Sequence, residues 1–84
     1  MSIPKVSIEQ VKAARALLRW SQSSLAEASG VSLPTIKRLE ASTGGVGGRE
    51  ETGNAIRAAL EAAGVEFIPE NGGGPGVRLR TTKA

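Results

Sequence analysis

Apolar residues recur at helical spacing along the first part of the chain. Ser7 and Gln10, three residues apart, form a capping-box pattern, so a helix is predicted over about residues 8–19. Its apolar positions are Ile8, Val11, Ala14, Leu17 and Leu18. Its polar positions are Glu9, Lys12, Arg15 and Arg19. One side of this helix is therefore predicted to face a core and the other to face solvent.

Two short helices separated by a tight turn are predicted for residues 21–40. Ser21 and Ser32 are each suited to cap the start of a helix. Pro34 fits the first turn after Ser32, because an N–H is not needed there. Gly30 lies between the helices, where the chain must adopt the left-handed conformation that ends many helices.

A further helix is predicted from about residue 49. Its apolar stripe consists of Ala55, Ile56, Ala59, Leu60 and Ala63. Gly64 follows this stripe and is expected to end the helix. Between this helix and residue 40, four of the five positions 44–48 are glycine, which indicates a flexible loop. Arg49 and Glu50 follow those glycines in place of the Lys-Ser or Lys-Thr pair of a P-loop, which argues against nucleotide binding.

The C-terminal part changes to an alternating pattern that predicts two short strands joined by a glycine-rich loop. If the strands are antiparallel, facing residues must have numbers that sum to an even value, because an odd register would place arginine beside phenylalanine. The permitted pairs are Phe67 with Val77 or Leu79, and Glu66 with Arg78 or Arg80. An isolated hairpin is marginal in water, so it must pack on the helices or on another hairpin.

The residue inventory removes several classes of site. The 84 residues include no cysteine, histidine, tyrosine or aspartate, which excludes disulfides and leaves glutamate and lysine for proton transfer. We therefore expect no enzymatic activity, no metal, no cofactor and no small-molecule ligand. No apolar run approaches the length of a membrane span and the first residues are not a signal peptide, so we expect a cytoplasmic protein. The formal charge of +3 suits a polyanionic partner.

The N-terminal residues and Trp20 lie outside the helical patterns described above. Residues 1–6 have no period and are predicted to be a loose arm. Trp20, between the first helix and the two short ones, is predicted to fill a gap in the core and not to stack on bases. We divide the chain into a helical part, residues 1–64, and a hairpin with its tail, residues 65–84, as a candidate dimerisation element.

Residues 21–40 resemble the helix-turn-helix DNA-binding domains of the Cro and phage-repressor type, also called the xenobiotic-response-element class. The residues that carry the resemblance are Gln22, Leu25, Ala26, Gly30, Val31, Ile36 and Leu39. One departure is Ser29, at a position that is more often apolar in the family. The resemblance implies a mainly α fold of four to five helices, to which the short C-terminal hairpin is added.

The resemblance also implies which residues contact DNA. In such domains the second helix of the motif enters the major groove and the first crosses the backbone. The reading surface would consist of Ser32, Leu33, Pro34, Thr35, Lys37 and Arg38. Gln22 would bind phosphate or brace the reading side chains, and Arg19 either reaches phosphate or is solvated. Arg49 and the backbone amides of the glycine loop are further candidates for phosphate contact.

We predict a sequence-specific DNA-binding transcriptional regulator, in the first place a repressor that occupies an operator on double-stranded DNA as a homodimer. The alternative is a protein-interaction module, such as an antitoxin or an anti-activator. The only candidate segment for binding such a partner is the loop from Asn71 to Gly76 with the strands around it. The operator sequence, the regulated genes and the choice between repression and activation stay open.

Overall fold

A computed structural model describes residues 6–42 and 50–80. Over these residues the fold has four helices followed by a two-stranded antiparallel sheet. The helices are α1 (Ile8–Leu18), α2 (Gln22–Ser29), α3 (Leu33–Glu40) and α4 (Glu50–Ala62), and the strands are β1 (Val65–Ile68) and β2 (Gly76–Leu79). The predicted mainly α fold with a C-terminal hairpin is confirmed. The predictions for the first five residues, the glycine loop and Arg49 fall outside the described residues.

The starts of α1, α2 and α3 are set by side-chain caps, as predicted. Ser7 and Gln10 form the full capping box, in which the Ser7 hydroxyl accepts from the Gln10 amide and Gln10 Oε1 accepts from the Ser7 amide. Ser21 caps α2 and Ser32 caps α3. Gly30 ends α2 at φ 76°, the left-handed conformation that only glycine adopts without strain. These local contacts define where α1, α2 and α3 begin and where α2 ends.

The core is formed by residues from all four helices and from β1. Its fully buried large side chains are Ile8, Leu25, Ile36, Ile56, Leu60 and Val65. Ala26 and Trp20 are half-buried against this core, so Trp20 fills a gap between helices as expected. Ser29 is half-buried, and its hydroxyl accepts a hydrogen bond from the Val31 amide in the turn. The polar residue at this position therefore stabilises the turn.

Two predictions of burial were wrong. Leu17 was placed on the apolar stripe of α1, but 41% of it is exposed. Adjacent helical residues point about 100° apart, so Leu17 and Leu18 cannot share one narrow stripe, and Leu18 takes the inner position. Val6 was assigned to a loose arm, yet it is 8% exposed and belongs to the core. It directly precedes the Ser7 cap, where an apolar residue can pack against the first turns of the helix, here at Val11.

The two strands of the hairpin pair in one of the predicted registers. Phe67 faces Val77 and Glu66 faces Arg78, and every pair of facing residue numbers has an even sum. The Arg78 guanidinium donates two hydrogen bonds to the Glu66 carboxylate, at 3.0 and 3.1 Å. Gln10 attaches the hairpin to α1, because its Nε2 donates to the Gly76 carbonyl at 2.9 Å. The hairpin therefore leans on the helices, which is one of the two arrangements expected.

Candidate nucleic-acid interface

One side of α3 is attached to the core and the other is open to solvent. Ile36 is fully buried and Leu39 is half-buried, so these two residues anchor the helix. Of the predicted reading residues, Ser32, Pro34, Lys37 and Arg38 are exposed, and Leu33 and Thr35 are half-buried. The surface away from Ile36 thus consists of two cations, a hydroxyl pair and an apolar tip.

The hydroxyl pair stands at the N-terminal end of α3. Ser32 Oγ accepts a hydrogen bond from the Thr35 amide at 3.4 Å and donates to Thr35 Oγ1 at 2.9 Å. Ser32 therefore holds both the start of the helix and the rotamer of Thr35. Pro34 follows Leu33 in the same turn, so the first turn presents mainly carbon atoms beside this pair.

The cations of the site do not form ion pairs within the described residues. Lys37 and Arg38 lie in the last turn of α3, where positive charge also suits the helix dipole. Arg19 is exposed at the C-terminal cap of α1, in the left-handed conformation at φ 59°. All three guanidinium or ammonium groups are available to an anionic partner.

Gln22, the first residue of α2, is linked to the end of α3. Its Nε2 donates to Glu40 Oε1 at 3.1 Å. Glu40 also accepts from Arg15, at 2.8 Å from Nε and 2.6 Å from Nη2. Arg15 completes the arrangement by donating from Nη1 to the Trp20 carbonyl at 2.9 Å. We call Arg15, Glu40 and Gln22 the Glu40 cluster; it joins α1, α2 and α3 beside the N-terminus of α2.

The Glu40 carboxylate is charged despite its burial. Its side chain is only 5% exposed. Burial, the largest single influence, would raise the pKa of Glu40, but the hydrogen bonds from Arg15 and Gln22 and the positive charges of Arg15 and Lys12 together outweigh it, so the pKa lies below its ordinary value. The hydrogen bond to Glu40 in turn raises the pKa of Arg15. The cluster is thus a buried ion pair with a neutral amide attached.

The cluster was not predicted, although the sequence contains a sign of it. Arg15 was assigned to the solvated face of α1, whereas its side chain is 20% exposed and paired. Arg15 comes four residues after buried Val11, and Glu40 comes four residues after buried Ile36. Positions four apart lie on the same side of a helix. A buried ion pair between two helices is therefore indicated when each helix carries a residue of opposite charge four positions after a buried apolar residue.

Comparison with protein families agrees with this geometry. Residues 11–45 match the helix-turn-helix family. Over this segment the chain is similar to helix-turn-helix proteins, in agreement with the Cro-type resemblance of residues 21–40. The match covers most of α1, the whole of α2 and α3, and residues 41–45. No curated protein matches the chain closely enough to count as a relative.

The helix-turn-helix supports a DNA-binding transcriptional regulator, and members of its family are typically not enzymes. Over residues 6–42 and 50–80, no cluster of acidic, histidine or cysteine side chains is arranged to hold a metal ion. None of the helices in these ranges is long and apolar enough to cross a membrane. The open face of α3 in this helix-turn-helix is therefore the candidate functional surface.

Proposed function

We propose that this protein is a transcriptional repressor of the cytoplasm that recognises an operator sequence through α3. The observation that supports this most directly is the open face of α3 within a helix-turn-helix. An α-helix fits the major groove of B-DNA, where each base pair presents a distinct set of donors, acceptors and methyl groups. Ile36 and Leu39 hold α3 from behind, so its outer face can enter the groove without unfolding the core.

We assign the base contacts to the outer face of α3. Arg38 or Lys37 would bind guanine, since a bidentate contact from a cation to guanine O6 and N7 is the commonest specific contact in the major groove. Leu33, Pro34 and the Thr35 methyl would meet thymine methyl groups. Ser32 would orient Thr35, which it already holds at 2.9 Å. An apolar first turn gives groove shape and methyl contacts a larger share of the readout.

We assign the phosphate contacts to Gln22 and Arg19. Gln22 begins α2, and a helix N-terminus attracts anions because its amide N–H groups and its dipole point outward. Arg19 is exposed two residues before the Ser21 cap. Contacts of this kind position the protein on the duplex, while the α3 contacts supply the sequence preference.

We further propose that the active form is a homodimer and that residues 65–84 mediate it. One small helix buries too little surface for tight binding, so two half-sites about 34 Å apart, or a multiple of that, are needed. The hairpin offers an apolar surface in Leu79, which is 47% exposed, next to half-buried Phe67 and Val77. Occupying an operator would then block transcription without an additional effector.

The experiment is a binding titration of labelled DNA at several salt concentrations. A site enriched from random DNA would be used, and its affinity compared with that of a scrambled duplex. We expect the logarithm of the association constant to fall linearly with the logarithm of salt concentration, with a slope of about −0.9 for each phosphate neutralised. Absence of any DNA that binds above background would contradict the proposal and favour the protein-interaction alternative at Asn71–Gly76.

A further inference from the structure

Glu40 accepts three hydrogen bonds from two side chains, and one of these, Gln22, begins the helix assigned to the phosphate contacts. Arg15 supplies two of the three and is engaged at Trp20 as well. Gln22 supplies the third through Nε2. A carboxamide nitrogen carries two N–H groups, so one N–H of Gln22 is used by Glu40 and one remains. In the described part of the chain, that second N–H has no other partner.

We propose that Glu40 is a positioning residue for DNA binding, which fixes the Gln22 carboxamide so that its second N–H meets a DNA phosphate. This inference rests on the proposed phosphate contact of Gln22. An ionised carboxylate only accepts hydrogen bonds, so it selects the nitrogen end of the carboxamide and rejects the oxygen end. A phosphate also only accepts. Glu40 therefore holds the Gln22 carboxamide with its nitrogen toward Glu40. The second N–H of that nitrogen is then the group that donates to a phosphate.

Arg15 makes this arrangement compatible with a polyanion. The Glu40 carboxylate lies 3.1 Å from Gln22 Nε2, so an unpaired negative charge there would repel the phosphate that Gln22 binds. The bidentate contact from Arg15, with its shortest distance 2.6 Å, compensates that charge. Arg15 thereby contributes to DNA affinity by compensating the Glu40 charge.

A matched pair of double variants tests the role of Glu40 without leaving a buried charge. Arg15→Met/Glu40→Gln, the acceptor pair, retains a carbonyl oxygen at position 40 for Gln22. Arg15→Met/Glu40→Leu, the apolar pair, has a side chain of similar size and no acceptor. Replacing a buried ion pair by neutral residues of similar volume is often tolerated, and both variants lose the same contact to the Trp20 carbonyl. Circular dichroism would confirm that each is folded at the assay temperature.

We expect the apolar pair to bind the selected site about tenfold more weakly per half-site than the acceptor pair. Adding Gln22→Ala should cost about tenfold in the acceptor pair and less than about twofold in the apolar pair, because the contact is already lost. The salt slope should stay the same throughout, since a neutral amide releases no counterion. A merely structural role of Glu40 would change the melting temperature but would not make the effect of Gln22→Ala depend on residue 40.

The outcomes separate this inference from the proposed function. If no DNA site can be selected with the wild-type protein, the proposed function fails and the inference fails with it. If a site is found but the two pairs bind it equally, or Gln22→Ala costs the same in both, only the positioning role is overturned. Should the apolar pair not fold, the side-chain amide resonances of Gln22 in the wild-type protein decide. They must be protected from exchange before DNA is added and must shift on binding; unprotected or unshifted resonances overturn the inference.

Discussion

Arg38 is one of the two cations that the proposed function assigns to guanine. It is exposed and has no ion pair among the described residues. We predict that Arg38→Ala weakens binding to the cognate site by about 1 to 3 kcal/mol, measured by fluorescence anisotropy at fixed salt. The control Arg38→Lys keeps the charge but not the planar fork of donors, so it should retain the salt slope and lose discrimination at one base pair. Equal affinities of Arg38→Ala and wild type would remove Arg38 from the interface.

Gln10 illustrates which residue roles a sequence reveals. Its part in the capping box was predicted, because its partner is three residues away. Its contacts to the Ile68 and Gly76 carbonyls were not, because those partners are 58 and 66 residues away and no local pattern marks them. Roles that depend on neighbours within one turn are thus visible in the chain, and roles that depend on tertiary contact are not.

Gln10→Glu removes the side-chain hydrogen bond between α1 and the hairpin and retains the capping box. A carboxylate at this position can still accept from the Ser7 amide, but it cannot donate to the Gly76 carbonyl and would lie against it. We predict a loss of about 1 to 3 kcal/mol in the free energy of unfolding, measured by urea denaturation at neutral pH. Glu9→Gln, on the exposed face of the same turn, should change stability by less than about 0.5 kcal/mol. Equal stabilities of Gln10→Glu and wild type would show that the hydrogen bond from Gln10 to the Gly76 carbonyl does not stabilise the fold.

At the scale of elements, the crossing of α2 over its neighbours depends on a small residue. Ala26 is half-buried against the core, whereas Ala28 on the same helix is exposed. We predict that Ala26→Leu destabilises the fold by about 1 to 3 kcal/mol through overpacking. Ala28→Leu adds the same atoms in solvent and should leave the melting temperature nearly unchanged. Equal melting temperatures for the two variants would contradict the packing assigned to α2.

The helices and the hairpin could be predicted because each carries its own local signal. Ser7, Ser21 and Ser32 mark helix starts, Gly30 marks a helix end, and the alternation around Phe67 marks a strand. The contacts between elements lack such signals. The candidate site divides in the same way: the outer face of α3 follows from its periodicity, while the link from Gln22 to Glu40 crosses 18 residues and depends on how α2 meets α3.

At the scale of the whole molecule, the Glu40 cluster makes stability depend on pH in the acid range. The folded-state pKa of Glu40 lies below its ordinary value of 4.5. A group whose pKa is lowered by folding contributes its full stabilisation above the ordinary value, and that contribution is lost as pH falls through the folded-state pKa. We therefore predict that the free energy of unfolding, measured by urea titration, decreases as pH falls below about 4.5.

Two variants assign that loss to its source. Glu40→Gln should be less stable than wild type at neutral pH and should lose less on acidification, because no carboxylate remains there to be protonated. Glu66 also has a lowered pKa, caused first by its hydrogen bond from Arg78, but this ion pair lies at the surface and contributes little. Glu66→Gln should therefore keep the acid dependence of the wild type. Parallel pH curves for Glu40→Gln and wild type would contradict the role given to Glu40.

Base reading by α3 is tested by selecting binding sites from random DNA, in parallel with wild type and Arg38→Ala. If the outer face of α3 reads bases in a homodimer, wild type will enrich a palindrome whose half-sites are about 34 Å apart or a multiple of that. Arg38→Ala will then lose its preference at one base pair in each half-site and keep the rest. An identical consensus from both proteins, or enrichment of no sequence by wild type, would contradict this account of α3.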